Sequence, residues 1–516
     1  MNATSITLLI VVVVFMLIGC GSRKYDYPEP TQPLTDNAFV SRVGIFTIGS
    51  IEHTADFGTI TVPENRKNVN SKLINLPVIR IHARSAVPRE PIFYLAGGPG
   101  QSNMNCIPFD TLLTEHDFVM IGYRGVDGSV KLDCPEVAEA LKENEDLLSE
   151  ETLRKIGRAW EACAHRFARE GIDWNGYTIP QTIEDLEAVR RVFKYQRINL
   201  QSESYGTRVA YLYGIMYPES IHRTIMIGVN PPGHFMWDPK MVDKQLNDYA
   251  LLWSKDSTMS ARCSDLAGTI RKVLHNMPKK WLFLSLNPGK VKVVTFSLLF
   301  HRNTAALVFD AYVRAEEGDY SGLALLSLGF DYTLPSMMTW GELASKAVTA
   351  DTDTSLIRSF TQDSSAILGS PLNKILWGPF LYSQIPLEPI PQELRILKYS
   401  NVETLMLCGS VDFSDPPDVT AQELLPYLRN GKQILLSEFG HVQDLLFLQT
   451  ESSKRILASY YNTGLPDTSG VKYVPMDFQV KWSLTTIMKT VLVTGVVLTA
   501  VIATTLVWIA QKLFSN

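Results

Sequence analysis

The sequence lacks the features that mark several common classes of protein. It has no excess of positive charge, since 48 Lys and Arg face 53 Asp and Glu for a formal net charge of -5. Nucleic-acid-binding domains need a basic patch that neutralises phosphates, so no nucleic-acid partner is predicted. No internal repeat and no low-complexity block is visible either, and the composition is that of a globular protein.

Cysteine is scarce, with six residues in a chain of 516. The cysteines do not have the spacing of zinc ligands, and no Lys-Ser or Lys-Thr pair completes a phosphate-binding Walker motif. We therefore expect neither a metal nor an organic cofactor. In an oxidising compartment, Cys134 and Cys163 are expected to form a disulfide, whereas Cys408 ends an apolar run and is expected to be a buried thiol.

Strand-like and helix-like segments alternate along much of the chain. Short apolar runs such as Ile92–Ala96 are followed by helical patterns such as Glu151–Arg169. This alternation predicts a mostly parallel, doubly wound α/β sheet over residues 41–233, resuming over residues 394–464. Residues 234–393 interrupt the alternation, are largely helical, and are predicted to form a cap inserted into the core.

The strongest signal for chemistry is the sequence Ser202-Glu203-Ser204-Tyr205-Gly206, between a predicted strand and a predicted helix. It has the form of a G-x-S-x-G nucleophile elbow, with Ser202 in place of the first glycine. Small residues are required because the nucleophile lies on a sharp turn where strand and helix crowd together. At the start of a helix, backbone amides and the helix dipole favour developing negative charge. Ser204 is therefore the predicted nucleophile.

A glycine-rich turn, Ala-Gly-Gly-Pro-Gly at residues 96–100, follows an earlier predicted strand. In folds with this elbow, such a turn supplies one amide of the oxyanion hole, and the residue after the nucleophile supplies the other. Bare backbone is needed there because a side chain would obstruct the reacting carbonyl. The predicted donors are Gly98 and Tyr205, and the alternative is a plain turn.

Catalytic triads of this kind follow the chain order serine, acid, histidine. After Ser204, a predicted strand ends at Asp412, and His441 follows the next predicted strand. Both should lie at the carboxyl edge of the sheet, where open α/β folds bind ligands. Of nine histidines, His441 alone follows the candidate acid. We predict that Asp412 orients His441, which takes the proton from Ser204, and Asp415 is the alternative acid.

These motifs resemble the proline iminopeptidase and tripeptidyl aminopeptidase-like branch of the α/β-hydrolases. Residues 97–100 are similar to its GGPG loop, and "NLQSESYGTRVAYLYGIMYPESIHRTIMIGVNPP" is similar to its nucleophile segment. "LMLCGSVDFSDPP" followed by "FGHV" resembles its acid and histidine segments. The likeness runs from about Thr59 to His441. It implies an α/β-hydrolase fold and hydrolysis of peptides from a free N-terminus, with the cap restricting access.

The chain departs from this pattern in three places. Ala96 stands where the family has a histidine, Ser202 replaces the first glycine of the elbow, and residues 122–125 read Gly-Tyr-Arg-Gly instead of DQRG. No acidic residue is identified that would bind the ammonium group of a substrate. Glu203, Glu316 and Glu317 are candidates, although the ordinary interpretation of each is a solvated surface charge.

Two other functions fit the same motifs. Fold and triad do not determine the acyl group, so a carboxylesterase acting on a small acyl substrate is the alternative enzyme. A hydrolase-like domain without catalysis, used for binding, is the alternative from another class. Such domains usually lose a triad residue or an oxyanion glycine, and this sequence retains them.

Both ends of the chain predict export and membrane attachment. Residues 1–19 contain an apolar run that is too short for a bilayer span, which predicts a signal peptide. The run ends in Leu-Ile-Gly-Cys20, which resembles the lipobox of bacterial lipoproteins and implies acylation of Cys20. An ordinary signal peptide is the alternative, because no Lys or Arg precedes the run. Residues 20–40 are predicted to be a tether.

At the other end, Val491 to Ala510 carries no charge and is long enough to cross about 30 Å of hydrocarbon. We predict a transmembrane helix over residues 487–511, after a linker over residues 465–486; a buried helix is the alternative. Basic residues flank both sides of the run, so charge does not fix its orientation. The expected location is the bacterial cell envelope, with the protein attached to the membrane and its catalytic domain outside the cytoplasm.

Overall fold

The computed structural model describes residues 25–30, 32–142, 144, 146–351, 353–362, 366–495, 497 and 505. The predicted signal peptide, the predicted lipidation site Cys20 and most of the predicted transmembrane segment lie outside these residues. Within the described ranges, no helix combines the length and the apolar character that a bilayer crossing requires.

One large sheet organises the chain. The strands in chain order are β1 (Phe39–Ile48), β2 (Ile51–Pro63), β3 (Leu73–Ile81), β4 (Arg89–Leu95), β5 (His116–Ile121), β6 (Ile198–Glu203), β7 (Ile221–Ile227), β8 (Lys280–Trp281), β9 (Leu284–Ser285), β10 (Glu403–Gly409) and β11 (Gly431–Leu436). Nine of them form a sheet in the order β1-β2-β3-β5-β4-β6-β7-β10-β11, and β8 pairs with β9 in a separate hairpin.

The sheet is antiparallel at one edge and parallel in the rest. β1, β2 and β3 form successive antiparallel pairs, and β3 is also antiparallel to β5. From β5 to β11 all neighbours are parallel. Every residue of β5 is buried, as parallel strands covered on both faces require. The predicted mostly parallel α/β architecture is confirmed.

Helices surround the sheet and build the cap. The α-helical segments are Pro135–Lys142, Glu150–Arg169, Ile179–Val192, Tyr205–Met216, Pro239–Lys255, Ser257–Arg262, Leu266–His275, Pro288–Leu298, Arg302–Glu316, Ser321–Thr333, Trp340–Asp351, Thr354–Gln362, Pro371–Leu376, Pro417–Val419, Val442–Phe447 and Thr450–Thr463, and residues 484–495 are also helical. The segment predicted as a cap carries the helices from Pro239 to Leu376 together with the β8–β9 hairpin. Its Trp340–Asp351 helix is buried along its whole length, so it belongs to the interior of the protein.

The segment predicted as a linker lies against the cap. The Phe478 ring packs against Trp253 and Phe309, with centroid distances of 5.2 and 6.2 Å. The Arg302 guanidinium donates to the carbonyl oxygen of Val474 at 3.0 Å and also to that of Pro475. We call residues 465–483 the strap, because they join the core to the C-terminal helix while holding two cap helices.

Two of the cysteines form a covalent bond in the structure. Cys134 and Cys163 are joined as a disulfide with a Cα–Cα distance of 5.7 Å. It connects the start of the Pro135–Lys142 helix to the Glu150–Arg169 helix. Cys408 is a buried free thiol on β10.

Candidate active site

Ser204 lies on a sharp turn between β6 and the Tyr205–Met216 helix. Its backbone has φ 50° and ψ -123°, in a region that residues other than glycine rarely adopt. The Ser204 N–H donates to the carbonyl oxygen of Ile227 at 2.9 Å, which fixes the turn to the end of β7. A Cβ at Gly206 would overlap the carbonyl oxygen of Leu95, so the second glycine of the motif is required.

Ser202 fits the place of the missing first glycine. Its hydroxyl is buried and donates to the carbonyl oxygen of Ile225 at 3.0 Å. The substitution is therefore accommodated by one extra bond between β6 and β7, and the elbow keeps its shape.

The glycine-rich turn lies directly beside Ser204. A Cβ at Gly97 would lie 3.2 Å from the Ser204 Cβ and 3.8 Å from its Oγ, so the two backbones approach closely. Gly98 has φ 126°, a conformation that favours glycine. Among the described residues, neither the Gly98 N–H nor the Tyr205 N–H has a hydrogen-bond acceptor. Two unpaired amides next to a hydroxyl are what an oxyanion hole needs.

Two polar residues that the sequence did not single out hold this turn in place. The buried Asn103 accepts from the Ala96 N–H at 2.7 Å and donates to the carbonyl oxygens of Tyr94 and Ile121 at 3.0 and 2.8 Å. Glu342, from the buried cap helix, accepts from the Gly100 N–H at 2.5 Å. The turn is therefore fixed by the core on one side and by the cap on the other.

His441 and Asp412 form a buried pair. Nδ1 of His441 is 2.8 Å from Oδ2 of Asp412. The other carboxylate oxygen of Asp412 accepts from the backbone N–H groups of Ser414 and Asp415 at 3.0 and 2.9 Å. The His441 N–H donates to the carbonyl oxygen of Phe300, a cap residue, at 2.7 Å. The imidazole is thus oriented by a carboxylate that is itself held by backbone amides.

The imidazole of His441 lies beside the end of β7, to which the turn at Ser204 is also hydrogen-bonded. A Cβ at Gly228, the residue after β7, would lie 2.6 Å from Cε1 of His441. Gly228 follows Ile227, whose carbonyl binds the Ser204 amide. The structure thus brings Ser204 and the His441–Asp412 pair together at the carboxyl edge of the sheet, beside the Gly98 and Tyr205 amides.

Asp415, the alternative acid, faces the other nitrogen of the ring. Its Oδ2 is 3.7 Å from Nε2 of His441 and has no hydrogen-bond partner in the described part of the chain. Its Oδ1 accepts from Nδ2 of Asn230 at 3.0 Å. Burial raises the pKa of Asp415 to about 6, with His441 opposing that rise. Asp412 therefore has the position of the orienting acid, and Asp415 adds a second carboxylate at Nε2.

These carboxylates raise the basicity of His441. Burial lowers the pKa of His441, but the nearby charges of Asp412, Asp415 and Glu203 outweigh burial and raise it to about 9. The imidazolium is therefore favoured at neutral pH, and the ring acts as a base only at higher pH.

The three acids considered for binding an ammonium group have different environments. Glu316 and Glu317 are exposed on the cap, as expected, and Glu316 pairs with Lys272 at 3.0 Å. The interpretation of Glu203 as a solvated surface charge was wrong, because the residue is half-buried and its carboxyl group accepts from the Tyr94 hydroxyl at 3.0 Å. Burial raises the pKa of Glu203 to about 7.

Arg124, in the loop that departs from the DQRG pattern, has a structural environment. Its buried guanidinium binds both oxygens of Asp185 at 2.6 Å and donates to the carbonyl oxygen of Glu64 at 2.7 Å. Arg124 therefore joins its loop to the Ile179–Val192 helix and to the residue that follows β2.

Comparison with known proteins gives partial matches. No family model matches the chain. It is 27% identical over 210 residues to the tripeptidyl aminopeptidases of Streptomyces lividans and Streptomyces coelicolor, covering 37% of this chain and 38% of each relative. The chain thus matches less than half the length of these curated relatives.

Among solved structures, a 2-hydroxy-6-oxo-6-phenylhexa-2,4-dienoate hydrolase from Rhodococcus aligns with 82% of this chain and 100% of its own. The identity is 13% and the TM-score is 0.36. The sheet order, the elbow after β6 and the His441 loop after β11 decide the fold. The chain has the α/β-hydrolase fold.

Changing Ser204 to Ala should abolish covalent labelling by a fluorophosphonate, because the attacking hydroxyl is lost. Asp412→Asn should slow labelling by about 10⁴-fold, because neutralising the acid of such a triad leaves the histidine in the wrong tautomer. The measurement is the second-order labelling rate of each purified variant. Ser202→Ala is the matched control and should label like the unchanged chain; labelling of the Ser204→Ala variant would refute this assignment.

The labelling rate should rise with pH through about 9, since only the neutral His441 accepts a proton and its pKa is raised to that value. Asp415→Asn removes a negative charge 3.7 Å from Nε2 and should move the midpoint to lower pH. Asp418→Asn, in the same segment but half-exposed and paired with Lys244, should leave the midpoint unchanged. Identical profiles for the Asp415→Asn variant and the unchanged chain would contradict this role of Asp415.

Proposed function

We propose that this protein is a serine hydrolase that cleaves peptides from their N-terminus through an acyl-enzyme. The observation that carries the proposal is the 2.8 Å contact between His441 Nδ1 and Asp412 Oδ2, beside the strained turn that presents Ser204. The partial likeness to tripeptidyl aminopeptidases supports a peptide as the substrate.

Acylation follows from this geometry. The Ser204 hydroxyl attacks the scissile carbonyl while Nε2 of His441 takes its proton, and Asp412 stabilises the imidazolium that forms. The Gly98 and Tyr205 amides bind the oxyanion, and removing one such donor typically costs about 10²–10³ in rate. The imidazolium then protonates the leaving amine, which departs. Water enters, gives a proton to His441, and hydrolyses the ester on Ser204 by the same steps.

The cap is built into this site, which favours an enzyme that acts on chain ends. The carbonyl of Phe300 holds the backbone of His441, and the carboxyl group of Glu342 holds Gly100. A cap bound to both loops would restrict access to Ser204. An exopeptidase needs such a limit, because it must exclude the middle of a polypeptide.

The charge of the site favours a cationic substrate group. Asp415 and Glu342 are buried and Glu203 is half-buried, all next to the candidate loops; Oδ2 of Asp415 lies 3.7 Å from Nε2 of His441 and makes no hydrogen bond in the described structure. A substrate with a free ammonium group gains attraction in such a field, whereas an acylated terminus does not. We therefore propose recognition of the free amino terminus as the basis of specificity.

We also propose that the protein is attached to the membrane of the bacterial cell envelope, with this site outside the cytoplasm. The apolar run at residues 6–18 ending in Cys20 and the uncharged run from Val491 to Ala510 support this location. The disulfide between Cys134 and Cys163 also supports it, since such bonds persist in oxidising compartments.

Peptidyl p-nitroanilides with a free amino terminus should be hydrolysed about 10–100-fold better, as kcat/KM, than the same compounds after N-acetylation, because a charged hydrogen bond is lost. Matched p-nitrophenyl esters, with and without the amine, complete the panel. If only the esters are hydrolysed, the assignment as a peptidase is wrong and the protein is a carboxylesterase. No turnover in a chain that labels with fluorophosphonate would place the substrate outside both classes.

Reduction of the Cys134–Cys163 disulfide should lower the free energy of unfolding by about 3.6 kcal/mol, because the bond joins residues 29 apart in sequence. Denaturant unfolding with and without reductant measures this, and the Cys134→Ser/Cys163→Ser variant should not respond to reductant. Alkylation in intact cells followed by non-reducing electrophoresis tests the compartment. Full alkylation of both thiols would contradict export.

A further inference from the structure

The tip of the β8–β9 hairpin is an exposed apolar turn on the cap. Two residues, Leu282 and Phe283, connect the strands, and they are 67% and 72% exposed. Leu282 has φ 53°, a conformation that two-residue turns normally assign to Gly or Asn. The chain thus carries a large apolar side chain where backbone and solvent both favour a small or polar residue. The turn conformation alone does not call for leucine.

The hairpin is firmly based on the cap. The Leu286 N–H donates to the carbonyl oxygen of Lys279 at 2.9 Å, which closes the hairpin. The Ser327 hydroxyl accepts from the Asn287 N–H at 3.1 Å and donates to the carbonyl oxygen of Ser285 at 3.3 Å. Ser327 belongs to the Ser321–Thr333 helix, so hydrogen bonds fix the hairpin that carries the apolar tip to that helix.

Exposed cations accompany the apolar tip. Lys279 and Lys280 immediately precede Trp281, and both are exposed. Among the described residues no ion pair joins either lysine to an acidic side chain. An apolar turn with adjacent lysines matches the chemistry of a bilayer surface, where acyl chains accept the first and anionic headgroups attract the second.

The beginning of the Ser321–Thr333 helix also contacts the start of the C-terminal helix. A Cβ at Gly322 would lie 3.1 Å from the Thr485 hydroxyl, and Nζ of Lys489 is 2.6 Å from Oδ2 of Asp319. The helical residues 484–495 include exposed Val491 and Val493, and the uncharged run continues to residue 510. The hairpin and the C-terminal helix therefore contact the same cap helix, at Ser327 and at Gly322.

We infer that the Leu282-Phe283 turn inserts into the headgroup region of an anionic lipid bilayer, with Lys279 and Lys280 against lipid phosphates. This contact holds the cap against the membrane at a second point besides the C-terminal run. It concerns where the protein lies and not which bond it cleaves, so it stands or falls separately from the proposed reaction.

Spin labels on Leu282→Cys and Phe283→Cys test the insertion in the full chain, reconstituted into vesicles of phosphatidylcholine and phosphatidylglycerol, whose anionic headgroups attract basic segments. Both labels should gain accessibility to oxygen and lose it to a water-soluble nickel complex, at a depth of about 5–10 Å. Leu251→Cys, 56% exposed on the Pro239–Lys255 helix, is the matched control and should remain water-accessible. The unsubstituted chain, treated in parallel, reports labelling of native thiols.

Lys279→Glu together with Lys280→Glu should move the 282 label back into water in these vesicles without changing its spectrum in detergent. In vesicles of phosphatidylcholine alone, the 282 label should likewise lie in water even when both lysines are unchanged. The inference is overturned if the 282 and 283 labels stay as accessible to nickel as the 251 label in anionic vesicles. Spin–spin broadening that is independent of lipid composition would also overturn it, in favour of contact between two copies of the chain.

Discussion

The site depends on the crowding of three backbones around the turn at Ser204. The carbonyl of Ile227 binds the Ser204 amide, Gly206 lies against the Leu95 carbonyl, and Gly97 lies against the serine side chain. These contacts keep Ser204 in a conformation that costs of order 1–3 kcal/mol for a residue other than glycine. This conformation places the Ser204 side chain beside the Gly97 backbone, near the Gly98 and Tyr205 amides.

The cap contacts the loops of the candidate site directly. Arg208, one turn beyond Ser204 on the same helix, binds the carboxylate of Asp351 at 3.0 and 3.2 Å, at the end of the buried cap helix. Glu342 on that helix holds the glycine-rich turn, and Phe300 holds the histidine loop. Core and cap therefore both hold the loops of the candidate site through hydrogen bonds.

The parts of the candidate site that depend on residues close together in the chain could be predicted from the sequence. The elbow could be predicted because its small residues answer a local steric need, and His441 because chain order left a single candidate. The alternation of strands and helices likewise predicted the mostly parallel sheet. The roles of Asn103, Glu342 and Asp415 could not be predicted in this way. Glu342 contacts Gly100 across 242 residues of chain, and such a contact leaves no periodic or spaced pattern in the sequence.

The environment of the acidic side chains also could not be predicted from the sequence. Glu203 occupies a variable position of the elbow, yet it is half-buried and its carboxyl group accepts from the Tyr94 hydroxyl. Asp415 lies three residues from Asp412 and faces the opposite nitrogen of the imidazole. Which side of a ring a carboxylate occupies depends on the path of the loop, and spacing alone does not determine that path.

The strap gives the cap a mechanical connection to the end of the chain. Phe478 lies between Trp253 and Phe309, and Arg302 grips the strap through two carbonyl oxygens. An outward swing of the Arg302–Glu316 helix must either break these bonds or pull residues 474–478 with it. Tension applied to the C-terminal helix is therefore transmitted to two cap helices, one of which begins two residues after Phe300, whose carbonyl accepts from the His441 N–H.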